Sequence, residues 1–226
     1  MARLPRLAIA GQPHWLIQRG LADRPVFADD IDRDNYLDAL REAAASQGVR
    51  VHAFALAADE VHLVLTPAEA TGPSRLMQAV GRRYVSAHHR RHGGRGTLWD
   101  GRFRCAVVEP GPTLLAVLAL VDGLAPEPGH SSAGLRCGQA ERRLPLSNPP
   151  EVWTLGNTPF ERERAWRQRL DEGLPAAQRQ HMLDAARGGW ALGSPAFLQT
   201  LAEALARPTV PRPRGRPPRP APRAPG

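Results

Sequence analysis

A carboxylate and an imidazole stand two residues apart in an apolar stretch of the chain. Glu60 and His62 flank Val61, and the pattern continues to Thr66 with apolar residues at every second position. Alternation at period two predicts a β-strand with successive side chains on opposite faces. Glu60 and His62 then share one face, about 7 Å apart along the backbone. Such a pair can hold a divalent metal ion, although the spacing alone favours a polar pair that faces solvent.

A dense group of arginines follows between residues 82 and 104. Few acidic residues interrupt it, and like charges on one face repel each other unless a polyanion is near. Guanidinium groups bind phosphate oxygens in a forked geometry, and such contacts position a nucleic-acid backbone without reading its sequence. We therefore predict DNA contact, with a solvated helix face as the alternative. The predicted DNA-binding residues in this group are Arg82, Arg83, Arg90, Arg91, Arg102 and Arg104.

The last twenty residues form a second basic segment. Residues 207–226 are rich in proline and arginine and contain no acidic residue, so they cannot bury a core and are predicted to be disordered. Arg214 and Arg216 flank Gly215 in a run that resembles the core of an AT-hook, in which the narrow A·T minor groove attracts arginine. We predict that both arginines bind DNA, and a non-specific basic tail is the alternative.

Overall charge supports a polyanionic partner. The 226 residues include 30 basic and 22 acidic side chains, for a net charge of +8, and every Lys/Arg position is arginine. A strongly basic soluble protein usually binds nucleic acid. A membrane partner is not expected, because no basic amphipathic helix carries bulky apolar anchors and the longest apolar stretch is too short to cross a bilayer. The two cysteines fit no metal-binding spacing. We expect the protein to be cytoplasmic, and to be associated with the nucleoid if it binds DNA.

Hydrophobic periodicity and turn residues predict the element order. A strand ends at Gly20, and a helix begins near Asp29 and ends at Gly48. A hairpin over residues 49–66 follows, then a second helix from Ser74 to Gly93, a last strand before Glu109, and a third helix over residues 112–124. This order predicts an α+β fold, the ferredoxin-like four-stranded antiparallel sheet with helices on one face.

Composition divides the chain into four parts. Residues 1–124 contain the predicted sheet and form a DNA-binding domain. Residues 125–158 are rich in Pro, Gly and Ser and are predicted to be a linker or an irregular extension. Residues 159–206 contain three short helical patterns, which predict a helical C-terminal extension. Residues 207–226 are the basic tail.

Several short motifs occur in order along the first 124 residues, and two more lie near the C-terminus. They are residues 1–6, Gln18-Arg19-Gly20, Pro25-Val26-Phe27, His52-Ala53-Phe54, residues 77–84, residues 96–104, residues 192–197 and the Gly-Arg-Pro of the tail. In this order and spacing the chain resembles the single-tyrosine HUH transposases, specifically the REP-associated tyrosine transposases.

The resemblance implies a fold, a substrate and a mechanism. Members of that family are dimers with a ferredoxin-like core that bind imperfect hairpins in single-stranded DNA and cut beside them. A His-hydrophobic-His pair with a third ligand holds Mg²⁺ or Mn²⁺, which polarises the scissile phosphate. A tyrosine in a Tyr-Ile-x-x-Asn-Pro run on the last helix attacks and forms a 5′-phosphotyrosine intermediate. DNA, Mg²⁺ or Mn²⁺ and a second copy of the chain are therefore the implied partners.

Two positions depart from the family pattern. Glu60 replaces the first metal-binding histidine, leaving Glu60 and His62 as the candidate metal ligands. Leu120 stands at the position of the catalytic tyrosine, and leucine has no nucleophilic atom. The chain has two tyrosines: Tyr36 falls on the first predicted helix and Tyr84 on the buried stripe of the second.

These departures leave three functional hypotheses. The first is a transposase-family protein that binds hairpin or single-stranded DNA and is defective in strand cleavage. The second is an active transposase with an atypical metal site that recruits Asp59 or Asp122. The third is a basic RNA-binding protein, although the aromatic pairs that stack RNA bases on a four-stranded sheet are not evident.

Overall fold

The computed structural model describes residues 6–22, 24–125, 127, 129–139 and 144–211. Four strands and eight helices lie within these ranges. In chain order they are β1 (His14–Arg19), α1 (Asp30–Ser46), β2 (Val49–Leu56), β3 (Glu60–Pro67), α2 (Gly72–His92), β4 (Arg104–Val107), α3 (Pro112–Asp122), α4 (Ala133–Arg136), α5 (Pro150–Trp153), α6 (Pro159–Glu172), α7 (Ala176–Gly188) and α8 (Pro195–Leu205).

The four strands form one antiparallel sheet in the order β2-β3-β1-β4. This is the order of the ferredoxin-like fold, and it confirms the fold class predicted from the sequence. The sheet is tight where β1 ends, because a Cβ on Gly20 would lie 2.3 Å from a methyl group of Val26. A side chain at this position would displace the segment that leads to α1.

Helices α1 and α2 cover one face of the sheet, as predicted. Asp29 caps α1 by accepting a hydrogen bond from the Asp32 amide at 3.0 Å, and the acidic first turn complements the positive end of the helix dipole. The core between these helices and the sheet includes Leu63 from β3 and Tyr36 and Tyr84 from the helices. We call this side of the sheet the α1/α2 face.

Helix α3 lies on the opposite face, which differs from the prediction of helices on one face only. Leu114, Val117 and Leu118 are all buried, because α3 is apolar on nearly every side and must be covered on more than the side that meets the sheet. Helices α5 and α6 provide this second cover, while α7 packs on β1 and β4 of the same face, and Trp166 of α6 joins the same core. We call this side of the sheet the α3 face.

Residues between α3 and α6 pair with the outer edge of β2. Leu56 donates its amide to the His130 carbonyl at 2.8 Å, Ser132 donates to the Phe54 carbonyl at 2.9 Å, and Ser147 donates to the Val51 carbonyl at 2.8 Å. These bonds occupy backbone groups that an edge strand otherwise leaves unpaired.

The division of the chain at residue 124 stays a prediction. No described helix is long and apolar enough to cross a membrane.

Candidate functional site

Glu60 and His62 share one face of the sheet, as the alternation predicts. His62 lies opposite Ile17 of β1 and Ala55 of β2, and these neighbours belong to the core of the α3 face. The His62 side chain is 2% exposed and that of Glu60 is 13% exposed. The pair is therefore largely buried beneath the helices rather than facing solvent.

The two side chains are hydrogen-bonded to each other, and a cation already contacts them. His62 Nε2 lies 3.0 Å from Glu60 Oε2, and the guanidinium of Arg187, from α7, donates to the same oxygen at 3.0 Å. Burial alone would raise the pKa of Glu60, but the hydrogen bonds from His62 and Arg187 outweigh it and lower that pKa to about 2. Glu60 is therefore a carboxylate paired with Arg187.

This arrangement does not fit Mg²⁺ or Mn²⁺. Mg²⁺ requires near-octahedral oxygen coordination, whereas the pair offers one carboxylate whose inward oxygen already accepts two hydrogen bonds. Within the described residues, the one cluster of three side chains able to hold a metal lies elsewhere. The positive guanidinium of Arg187 would also repel a cation placed at Glu60. Metal binding by Glu60 and His62 remains a prediction that this geometry does not favour.

Leu120 lies on the same face as Glu60 and His62. It belongs to α3, is 7% exposed, and packs in the core that contains Ile17 and Ala55. The position that resembles the family's catalytic tyrosine is thus on α3, the predicted third helix, and on the same side of the sheet as Glu60 and His62. A leucine there supplies packing and no nucleophile.

Neither tyrosine lies on the α3 face. Tyr36 is 0% exposed and Tyr84 is 1% exposed, both in the core of the α1/α2 face. The Tyr84 hydroxyl donates to the Val26 carbonyl. Burial raises the pKa of both hydroxyls above the usual value, which disfavours the phenolate. The sheet separates both side chains from Glu60 and His62.

Asp122, a candidate metal ligand of the atypical-site hypothesis, belongs to a buried polar network. Its carboxylate accepts hydrogen bonds from Arg136 at 2.6 Å and from the Trp166 indole at 2.9 Å, and a third from the Ser132 hydroxyl. Arg136 also donates to the His52 carbonyl. These partners satisfy both oxygens of Asp122, so the network joins α3 to α4, α6 and β2. The other candidate ligand, Asp59, is exposed in the β2–β3 turn.

The predicted DNA-binding arginines of α2 differ in their availability. Arg82 and Arg90 are exposed and form no ion pair within the described part of the chain. Arg83 pairs with Glu42 of α1. Arg91 pairs with Asp29 at 2.8 Å and also with Asp32, so much of its charge is neutralised. Arg82, Arg83 and Arg90 line a groove between α1 and α2.

Arg102 and Arg104 lie elsewhere, on the rim of a pocket beside β4. Both are exposed, and the pocket also includes Arg6, Phe103 and Trp190 among its lining residues. The Arg6 guanidinium stacks on the Phe103 ring at 3.9 Å from its centroid, in the range of a cation–π contact. A guanidinium stacked on an aromatic ring can contact a phosphate through its charge and a base through its planar face. Arg214 and Arg216 fall outside the described residues.

The sequence interpretation missed one cluster on the α1/α2 face. Asp32 of α1 and His88 and His92 of α2 bring one ligand atom each to within 4.8 Å of one another. The signal that the sequence offers is the spacing of four residues between the two histidines, which places them on one side of a helix.

Two of the solved structures that match this chain are described as transposases. A REP-associated tyrosine transposase bound to a REP hairpin is 12% identical, with a TM-score of 0.46, over 63% of this chain and 78% of that chain. A Deinococcus radiodurans R1 protein described as a transposase is 28% identical, with a TM-score of 0.37, over 48% of this chain and 88% of that chain. No protein-family model and no curated protein matches the chain.

Proposed function

We propose that this chain is a transposase-family protein that binds hairpin or single-stranded DNA and does not cut it. The observation that carries the proposal is the position of the tyrosines. Residue 120 is leucine, and both tyrosines are buried on the face opposite Glu60 and His62. Attack on a phosphodiester by this family's route requires a tyrosine hydroxyl beside the metal site, and no hydroxyl of that kind lies there.

Arg187 strengthens the same proposal. In the family, a divalent cation bound beside the scissile phosphate polarises it. In this chain a guanidinium contacts the carboxylate that replaces the first histidine. Arg187 supplies a positive charge, as the metal ion does in the family. A guanidinium, however, has no open coordination position at which a phosphate oxygen could be polarised. A phosphate can still be attracted to this region, but it would be bound rather than activated.

DNA binding is supported by the exposed arginines on two surfaces. One is the α1/α2 groove with Arg82 and Arg90, and the other is the β4 rim with Arg102 and Arg104. Arginine contacts of this kind position a phosphate backbone. Binding to RNA through an open sheet is not favoured, because residues on both faces of the sheet are buried beneath helices. A homodimer stays a prediction drawn from the resemblance.

The proposal predicts a DNA complex without a covalent product. The full chain is incubated with hairpin-bearing single-stranded DNA labelled at its 3′ end, the end that a 5′-phosphotyrosine adduct would retain, in Mg²⁺ or Mn²⁺. We expect a shifted band on a native gel and no labelled protein on a denaturing gel. The native gel shows that the DNA is bound in the same reaction. The absence of a covalent adduct then means that the bound DNA is not cleaved. A covalent adduct would instead support an active transposase, and stronger binding to a matched RNA hairpin would support the RNA-binding hypothesis.

Removing Arg82 and Arg90 together is expected to weaken DNA binding in a salt-dependent way. Each phosphate contact contributes about 0.7 to the slope of log K against log[salt] on single strands. The double variant Arg82→Ala/Arg90→Ala should therefore reduce the slope by about 1.4. Fluorescence anisotropy over a series of salt concentrations measures it.

A matched double variant tests whether position or net charge matters. Arg41 and Arg75 are half-exposed or more and form ion pairs with Asp38 and Glu69. Arg41→Ala/Arg75→Ala removes the same charge outside the groove and should leave the slope nearly unchanged. Equal slopes for the two double variants would show that the α1/α2 groove is not the contact surface.

A further inference from the structure

A group of three side chains on the α1/α2 face has the composition of a transition-metal site. Asp32 and His88 are buried and His92 is exposed, and their nearest ligand atoms lie within 4.8 Å of one another. Two histidines and one carboxylate form one of the ligand sets that bind Zn²⁺ in proteins, with a water in the fourth position. This site lies on the opposite face of the sheet from Glu60 and His62.

The distances are close to those of a tetrahedral site. Ligand bonds of about 2.0 Å at tetrahedral angles separate neighbouring ligand atoms by about 3.3 Å. His92 Nε2 lies 2.9 Å and 3.0 Å from the two Asp32 oxygens, so this pair needs to open by only a few tenths of an ångström. The His88 and His92 rings are 4.6 Å apart between centroids, and a ligand atom of His88 lies within 4.8 Å of ligand atoms of the other two residues.

His88 provides an observation that is independent of the Asp32–His92 contact. It is 9% exposed, and its Nδ1 atom is buried with no hydrogen-bond partner. Buried polar atoms are nearly always satisfied, and one that is not calls for a specific explanation, such as a bound ion or water. A cation between the two helices would give this side of the His88 ring a polar partner.

The surroundings also orient the carboxylate as the second shell of a metal site would. The Ala28 amide donates to Asp32 Oδ2 at 2.9 Å, and Arg91 donates to Oδ1. Outer-shell hydrogen bonds of this kind hold ligating groups in position. Arg91 does not depend on Asp32, because it also donates to both oxygens of Asp29, at 3.0 Å and 2.8 Å. Arg91 Nη1 also lies 3.3 Å from His92 Nε2, so a cation can bind Asp32 and His92 only when Arg91 turns away from both. Its pairing with Asp29 allows this, whereas Arg187 pairs with no acidic residue other than Glu60 in the described part of the chain.

We propose that Asp32, His88 and His92 form a Zn²⁺ site that joins α1 to the C-terminal end of α2. The residue after His88 is His89 and not glutamate, so the chain lacks the general base of the zinc-protease helix motif. The site fastens two helices and thereby fixes the groove that contains Arg82 and Arg90. Its ligand is a borderline-soft divalent cation, which distinguishes it from the Mg²⁺ or Mn²⁺ of the transposase resemblance.

Metal titration of the full chain tests the proposal. The protein is treated with a chelator, dialysed, and titrated with Zn²⁺ by calorimetry and with Co²⁺ by visible absorption. We expect one site per chain, tetrahedral Co²⁺ bands, and a rise in Tm on adding Zn²⁺. His92→Ala should weaken the affinity roughly 100-fold or more, because even outer-shell partners contribute 10- to 100-fold. The side chain of His92 is 28% exposed, so this variant is expected to fold.

Two control variants locate the site. His181 is exposed on α7, and His181→Ala should bind Zn²⁺ as the original chain does. Glu60→Gln should also retain binding, because Glu60 lies on the α3 face. A chain that shows no Zn²⁺ or Co²⁺ binding would overturn the proposal. Binding that survives His92→Ala, or that is lost in Glu60→Gln, would overturn it as well.

Discussion

Replacing Asp122 with alanine is expected to lower the free energy of unfolding by about 3–5 kcal/mol. The Asp122 and Arg136 side chains are 0% and 3% exposed, so the substitution leaves a guanidinium buried without its counter-charge. The Trp166 indole and the Ser132 hydroxyl lose their acceptor at the same time. Urea denaturation followed by tryptophan fluorescence, with circular dichroism as a second probe, measures the loss.

Two further variants separate the ion pair from general damage to α3. Asp122→Ala combined with Arg136→Met removes both charges and should recover much of the loss, because an apolar replacement of a buried pair is often neutral. Asp100→Ala removes an exposed carboxylate and should change stability by no more than about 0.5 kcal/mol. A loss below about 1 kcal/mol for Asp122→Ala would mean that water reaches Arg136 in the folded chain.

The Asp122 network bears on function because of its place on α3. Leu120 lies two residues earlier, at the position that resembles the catalytic tyrosine. In the atypical-site hypothesis, Asp122 was available to bind a metal. Its oxygens instead accept hydrogen bonds from three side chains, one at the cap of α4, one within α4 and one in α6. Asp122 therefore stabilises the packing of α3, as the proposed DNA-binding function without cleavage allows.

Local patterns were sufficient for most of the sheet. Alternation at period two placed Glu60 and His62 on one side of β3, and β3 pairs with β1 and β2 in the predicted antiparallel manner. The three helical patterns after residue 158 correspond to α6, α7 and α8. The alternation in β3, its pairing with β2 and each helical pattern depend on residues within about twenty positions of one another, and periodicity reports that range well. The pairing of β3 with β1 joins more distant residues and was predicted from the order of the elements.

The contacts that determine the site are long-range, and the sequence could not predict them. Arg187 meets Glu60 across 127 positions, and His92 meets Asp32 across 60. His130, Ser132 and Ser147 contact β2 through backbone amides and carbonyls, and such contacts place few constraints on side-chain type, so the sequence gives no periodic pattern that would reveal them. The side of the sheet that α3 covers could not be predicted either. This helix is buried over nearly its whole circumference, so it has no single apolar stripe that indicates which of its sides meets the sheet.

Acidification is expected to destabilise the fold through His14 between pH 6.5 and about 4. This side chain is 0% exposed. Burial lowers its pKa from 6.5 to about 4, although the hydrogen bond to the Gln12 carbonyl acts in the opposite direction. In the neutral ring Nδ1–H donates to the Gln12 carbonyl at 2.7 Å, and Nε2 accepts from the Ile9 amide at 3.0 Å. A second proton would remove the acceptor that the Ile9 amide needs.

The direction of the pH effect follows from proton uptake. Below pH 6.5, His14 is protonated in the unfolded chain but not in the folded chain. The unfolded state therefore binds more protons, and the free energy of unfolding decreases as the pH decreases. The contribution is fully present above pH 6.5 and is lost as the pH falls to about 4. A difference of about 2.5 pKa units corresponds to about 3 kcal/mol. Urea denaturation at half-unit pH steps, in buffers that contain a chelator, measures the decline.

His14→Gln isolates the contribution of this one ring. Glutamine does not titrate, so the variant should be less stable than the original chain at pH 7 but should lose about 3 kcal/mol less on acidification to pH 4. Burial also lowers the pKa of His52 and His88, so some pH dependence should remain in the variant. His181→Gln alters an exposed histidine and should reproduce the original curve. If His14→Gln and the original chain decline in parallel, His14 takes up its proton without a cost to the fold, and the segment from Ile9 to Gln12 must rearrange to accommodate it.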